Sequence, residues 1–185
     1  MRLVLPSVKY KKSYVEALKE AENEANTTSL QKPEANESFE DFVKKLHDNI
    51  KGLSLPEGYV ASTMLWLIDK NEFIGRAQIR HELNDFLLKH GGHIGYYIRP
   101  SKRKMGYGKK ILELVLPEAK KLGLDKVLVT CDEGNIGSQK IIEANGGVLE
   151  NIVEGRRPKA WRTKKTSILD RNIINPAGKS RLFVG

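Results

Sequence analysis

Residues 103–108, Arg-Lys-Met-Gly-Tyr-Gly, set two basic side chains beside two glycines spaced two apart, and Lys109 and Lys110 follow directly. Basic groups around a glycine-containing turn suit an anion, and more so if the turn opens a helix. The first N–H groups of a helix lack an intrahelical acceptor and sit at the positive end of its dipole, so they hold phosphate. Glycine allows the backbone to turn left-handed or to approach a neighbour closely. The segment is therefore expected to hold an anionic, phosphorylated ligand. Two common phosphate cradles do not match it. A P-loop needs Gly-Lys followed by Ser or Thr, whereas Lys109 is followed by Lys110. The dinucleotide fingerprint needs a third glycine where Ile111 stands and an acidic residue closing the next strand, and neither condition is met.

Other residues with usable chemistry lie on both sides of this loop. His93 precedes it by ten positions and titrates near neutrality when unperturbed. Asn135 and Ser138 follow a β-branched run, where an Asn suits a helix start. Cys131 is the single cysteine, with no His beside it in sequence to activate it, so it is expected to be an inert buried thiol. No metal site is expected.

These residues need elements to hold them. Arg2–Leu5 is an opening strand ended by Pro6, and Ser7 caps a helix running to about Ala21 with Tyr10, Tyr14, Val15 and Leu18 at helical spacing. Residues 26–37 are polar and contain Pro33, hence a loop. Ser38 caps a second helix whose apolar stripe is Phe39, Phe42, Val43, Leu46 and Ile50, stopped at Gly52. Two strands, 61–69 and 72–80, make a hairpin whose turn, Lys70-Asn71, lacks the customary glycine, and Gly75 marks a bulge or a close contact. A helix-like stretch, 81–90, closes at Gly91-Gly92. The strand 93–99 then leads through the basic loop into a helix from about Tyr107 to Leu122, with Pro117 late in it. A buried strand at 126–130, a helix at 135–144 and a strand at 148–153 complete an α/β unit whose central strands are expected to run parallel. A last strand is expected at 160–168. The domain is taken as 1–153 and the basic segment as 154–185.

With these elements around it, Arg103-Lys104-Met105-Gly106-Tyr107-Gly108 matches the Arg/Gln-x-x-Gly-x-Gly/Ala signature of the GNAT superfamily of N-acetyltransferases, and 92–149 as a whole resembles that family. The Gly-Gly-His-Ile-Gly-Tyr and Cys-Asp-x-x-Asn-Ile-Gly-Ser runs resemble a bacterial GNAT-like branch with mostly unassigned substrates. The resemblance implies a GNAT-like α/β fold, a mixed twisted central sheet with about four helices. It implies acetyl-CoA as donor and a primary amine of a small molecule or protein as acceptor. The backbone from Arg103 through Lys104, Met105, Gly106 and Tyr107 to Gly108, with Lys109 nearby, would hold the pyrophosphate. The backbone of Tyr97, Ile98 and Arg99 would pair with the pantetheine arm, which requires this strand to splay from the one at 126–130, and Asn135 and Ser138 would flank the arm or cap their helix. Such relatives use a tyrosine in that helix as the acid, and the count from Asn135 places Ile142 there. Tyr97 or Tyr107 would substitute, a backbone N–H of Tyr97 or Ile98 would polarise the carbonyl, and His93 is the candidate base ahead of Glu72, Glu82 and Asp132.

The chain has 185 residues, is 39% hydrophobic and 30% charged, and suits one domain with a full core. No apolar run approaches the ~20 residues of a spanning helix, so no membrane partner is expected, and a single cysteine fits a reducing, cytoplasmic setting. The net charge is +9, from 32 basic and 23 acidic residues, of which nine and two lie in 151–185, leaving 23 against 21 in 1–150. The excess therefore sits at the basic end, and nucleic-acid binding is not the preferred reading. A homodimer is the default assembly. Two other classes compete with the transferase: a CoA-binding domain without activity, suggested by Ile142, and a nucleic-acid module using the basic segment.

Overall fold

The computed structural model describes residues 1–22, 30–53, 55–132, 134–157 and 160–170, and from 151 onward it gives the backbone course alone. Among the described residues, seven strands form two sheets. The first contains β1 (Arg2–Val4), β2 (Ser62–Asp69), β3 (Glu72–Arg80) and β4 (Ile94–Ile98), in that order and antiparallel throughout. The second contains β5 (Lys126–Asp132), β6 (Val148–Arg157) and β7 (Ala160–Asp170), ordered β5-β7-β6 and likewise antiparallel. Four α-helices accompany them: α1 (Lys11–Glu22), α2 (Phe39–Asp48), α3 (Tyr107–Lys121) and α4 (Ile136–Glu143).

Local chemistry explains the boundaries. Ser38 Oγ accepts from Asp41 N at 3.0 Å and caps α2, and Gly52 ends the short turn, Asn49–Lys51, that continues it. The β2–β3 turn does without glycine because Lys70 and Asn71 both adopt positive φ, 46° and 67°, the backbone of a type I′ turn. The register shifts between Leu67 and Ile68, so Ile74 is the extra residue of a bulge. Next to it Gly75 faces Tyr97 so closely that a Cβ would lie 2.2 Å from the Tyr97 carbonyl oxygen. Both readings of Gly75 are thus met at one place. The expected helix at 81–90 is reduced to a short turn, Leu87–Gly91, started by Asn84 Oδ1 accepting from Leu87 N.

Strand alternation distributes the core over the two faces of the first sheet. Leu65, Leu67, Ala77, Ile79, Ile94 and Ile98 face α3 and α4, where Ile111, Leu112, Val115 and Ile142 meet them. Met64, Trp66, Ile68, Phe73 and Tyr97 face α1 and α2, against Tyr14, Phe39 and Phe42. Tyr14 stacks on Trp66 at 4.6 Å between centroids.

One expectation changes. The central strands β4 and β5 do not form a parallel ladder. The residues just before β4 touch β5 at one bridge, Gly92 to Val129, with His93 N donating to Leu128 O at 2.7 Å, and no ladder joins β4 and β5 beyond it. β6 runs through position 154, where the basic segment is taken to begin, and β7 lies between β5 and β6 over residues 160–170. β7 covers the positions 160–168 where a last strand is expected, and its pairing on both sides sets its place in the sheet.

Candidate active site

The fork between β4 and β5 is the site's central feature. Arg80 N donates to His93 O, and Arg99 N donates to Ile74 O at 3.0 Å. With a period of two, the N–H and C=O groups of Gly95 and Tyr97 face β3, while those of Tyr96 and Ile98 face the open edge of the fork. The open edge is where an extended ligand adds as a further strand. On that edge the Ile98 carbonyl already accepts from Arg103 Nε at 3.0 Å.

At the mouth of the fork stands the basic loop. A short turn, Pro100–Lys102, uses the N–H of Arg103 on Pro100 O. Lys104 then turns left-handed at φ 61° and Gly106 at φ 83°. Gly106 is the N-cap residue of α3, no side chain caps the helix, and the first intrahelical bond runs from Lys110 N to Gly106 O. The N–H groups of Tyr107, Gly108 and Lys109 therefore have no i−4 acceptor in the helix. They lie at the start of the helix that follows β4 through the basic loop, and a free helix N-terminus of this kind suits an anion. The two signature glycines act differently. Gly106 supplies a backbone conformation, and a Cβ there would meet nothing within 4 Å. At Gly108 a Cβ would lie 2.5 Å from Ile141 Cδ1, the movable end of a side chain on α4 that can shift away.

Arg99 has a structural assignment. Its side chain is 5% exposed and donates from Nε and Nη2 to Glu20 Oε1, and from Nη1 to Glu72 Oε1 and Phe73 O, each at 3.2 Å. With its N–H on Ile74, neither backbone donor nor guanidinium is left for a cofactor arm. Glu20 also accepts from Ser101 N at 3.1 Å and Ser101 Oγ at 3.0 Å, so the end of α1 is tied to the turn before the loop. Burial would raise the Glu20 carboxyl, but hydrogen bonds from Arg99 and Ser101 outweigh it and hold it below the usual carboxylate range. Glu72, weighed as a base, is shared between Arg99 and Lys102, whose Nζ lies 2.7 Å from Oε2.

His93 does not stand ready as a base. Its Nδ1 accepts from Leu128 N at 2.9 Å, which places the neutral ring's proton on Nε2 and leaves no acceptor nitrogen. Burial, with Arg80 beside it, lowers its pKa. The ring stitches the vertex of the fork. Tyr97 points away from the fork into the aromatic core under α1 and α2, with the Arg103 guanidinium 5.5 Å from its ring centroid. Tyr107 donates its hydroxyl to Asp69 Oδ2 at 3.1 Å, toward the β2–β3 turn. Asn135 Oδ1 accepts from Ser138 N at 3.0 Å and caps α4, while Ile142 is fully buried in the core.

Tyr96, which sequence reasoning passed over, faces the fork's interior. Its hydroxyl lies 3.5 Å from Ser138 O, and Cys131 of β5 is close enough to raise its pKa further after burial has already done so, to about 12. The signal was the alternation of Ile94, Tyr96 and Ile98, but its phase depends on pairing with β3. Among the described residues no group of three His, Cys, Asp or Glu side chains is placed to hold a metal, and no helix is long and apolar enough to cross a membrane.

A strand fork that opens at an uncapped, basic helix N-terminus defines a domain built to hold a phosphorylated cofactor with an extended arm. The comparisons agree with this class. Residues 3–148 match the family model for the acetyltransferase (GNAT) domain, so the chain belongs to the GNAT family of acetyltransferases. No curated protein sequence matches it significantly. Among solved structures, it is similar to a ribosomal-protein-alanine N-acetyltransferase from Brucella melitensis, with 13% identity, 91% of this chain and 98% of that one covered, and a TM-score of 0.63. It is similar to RimJ from Mycobacterium smegmatis in complex with CoA-disulfide, with 14% identity, 93% and 82% coverage and a TM-score of 0.65. It is also similar to the microcin C7 self-immunity acetyltransferase MccE in complex with acetyl-CoA and AMP, at 14% identity, 90% and 89% coverage and a TM-score of 0.62. At these identities the likeness is one of fold.

Proposed function

We propose that this protein transfers an acetyl group from acetyl-CoA to a primary amine on a small molecule or a protein. The observation that carries the reading is the fork between β4 and β5 ending at the uncapped N-terminus of α3. The residues fit the cofactor in three respects. The N–H groups of Tyr107, Gly108 and Lys109, with the side chains of Lys104 and Lys109, would hold a pyrophosphate. The open-edge backbone of Tyr96 and Ile98 would pair with an amide-bearing arm, a shift of one residue from the Tyr97 and Arg99 expectation. Asn135 and Ser138 begin the helix that borders the fork on its other side. When bound, acetyl-CoA supplies an activated acyl group, and the chain's own part is to orient it, exclude water and present an N–H where charge develops on the carbonyl oxygen. On the register observed, that N–H belongs to Tyr96 or Ile98. Chemistry of this kind needs neither a metal nor Cys131 as a nucleophile. A cytoplasmic setting and a homodimeric state complete the reading.

Calorimetry with acetyl-CoA and CoA tests it, followed by product detection over a panel of amines. Absence of heat at millimolar ligand with folded protein would sink the cofactor claim. Ile142, fully buried where the helix tyrosine of such relatives is expected, favours a second reading, a CoA-binding domain without activity. Enzymatic turnover of any one amine eliminates it. The nucleic-acid reading loses support from the fold, since residues 160–170 of the basic segment are laddered on both edges. Removing 155–185 would delete a middle strand, so salt-dependent binding by the intact chain is the appropriate check.

A further inference from the structure

We propose that Tyr96 is the hydrogen-bond donor to the sulfur that departs from the acetyl group, an inference that rests on the acetyl-CoA reading. The phenol projects from β4 among Ile94, Ile98 and the residues of α3 and α4, on the face of the first sheet that packs against those helices. It faces Cys131 on β5 and the first turn of α4, so it spans the gap between the two diverging strands. Its hydrogen bond to Ser138 O is 3.5 Å long, at the limit of a hydrogen bond, so a better acceptor entering the fork would capture the proton. The other tyrosines near the loop are directed elsewhere, Tyr97 into the aromatic core and Tyr107 to Asp69. Position 142 in α4 holds a side chain with no donor.

The chemistry balances without a further reagent. A neutral amine attacks the carbonyl carbon, the N–C bond forms and the C–S bond breaks, and the bonding pair leaves on sulfur as a thiolate. The proton shed by the nitrogen reaches sulfur through solvent. Tyr96 keeps its own proton throughout, because burial holds the phenol far above the pKa of a thiol, so it acts as a donor and not as a general acid. A buried hydrogen bond to a charged acceptor favours the charged form, so the same contact lowers the pKa of the bound CoA thiol.

The test uses the full chain and its Tyr96→Phe variant, with CoA and desulfo-CoA as probes. Calorimetry gives both affinities, and thiolate absorbance of bound CoA, against the titration of the unliganded protein as baseline, gives the thiol pKa. The expected result is that Tyr96→Phe raises the pKa of bound CoA by about one unit and weakens CoA roughly tenfold above pH 8, while desulfo-CoA changes less than about twofold. Turnover, where an amine is known, falls about tenfold in kcat with little change in KM for acetyl-CoA. Equal effects on CoA and desulfo-CoA, or an unmoved thiol pKa, would overturn the assignment even though both ligands bind. Failure of the parent protein to bind either would overturn the cofactor reading and this one with it. Should Tyr96→Phe fail to fold, 3-fluorotyrosine at 96 preserves the packing and strengthens the donor, and the thiol pKa must then fall.

Discussion

Replacing Glu20 by Gln examines how the cofactor loop is held. The glutamate lies at the end of α1 and receives four hydrogen bonds, two from Arg99 and two from Ser101, the residue pair that leads into the loop. Glutamine keeps the shape and one acceptor but sets an NH2 against a donor and removes the charge facing a guanidinium that is 5% exposed. Breaking a fully buried pair costs about 3–5 kcal/mol. Here Glu20 is 26% exposed and Arg99 retains Glu72 and the Phe73 carbonyl, so a loss of about 2 kcal/mol is expected. For a chain of this length that lowers Tm by about 4–8 °C. The pH dependence has a definite sign. The Glu20 pKa is depressed in the folded protein, so its contribution is present above the ordinary value of 4.5 and lost as pH falls through the lowered one. Thermal unfolding of parent and variant should therefore differ fully at pH 7 and converge in acid. Because Ser101 is released, acetyl-CoA should also bind several-fold more weakly, measured by calorimetry. An unchanged Tm at pH 7, or an equal deficit at neutral and acid pH, would refute the reasoning.

Further expectations concern backbone and caps. Gly75→Ala sets a Cβ 2.2 Å from a backbone oxygen that no rotamer can relieve, and is expected to cost about 3 kcal/mol or more in a denaturant titration. Gly106→Ala meets no neighbour but is forced to φ 83°, costing about 1–2 kcal/mol and weakening CoA, whereas Gly108→Ala meets the movable end of Ile141 and should leave Tm within about 2 °C. Asn135→Ala loses the α4 cap, about 1 kcal/mol, and Asn135→Ser restores it; if CoA affinity stays low in the Ser variant by calorimetry, the Asn amide also binds the cofactor. His93→Asn should leave the pH dependence of turnover unchanged. In the parent the depressed imidazole pKa contributes stability above pH 6.5 that is lost as pH falls through the folded value, and the variant's unfolding free energy should lack that slope.

The sequence alone determined which ligand chemistry the loop suits, because the requirement is local. Glycines two apart, lysines around them and a helix following are read from a dozen consecutive residues, and the caps at Ser38 and Asn135 are equally short-ranged. The opening of the fork followed from the family resemblance alone, because a pantetheine arm pairing with β4 requires that strand to splay from β5. Which side chains enter the fork was decided only by tertiary structure. Tyr96 and Tyr97 are neighbours of one type, and which of them faces the ligand depends on the pairing of β4 with β3, beside a bulge at Ile74 that sets the phase. Arg99 looked like part of the cofactor edge because its partner Glu20 is 79 positions away. His93 became structural through a backbone donor 35 residues on. The strand β7 covers the positions 160–168 where the sequence already predicts one, but its place between β5 and β6 came from two ladders, since which strands it joins depends on partners distant in sequence. Short-range preference is written in consecutive residues, whereas the direction of a side chain and the identity of a distant ion partner follow from register, which exists only once the strands have met.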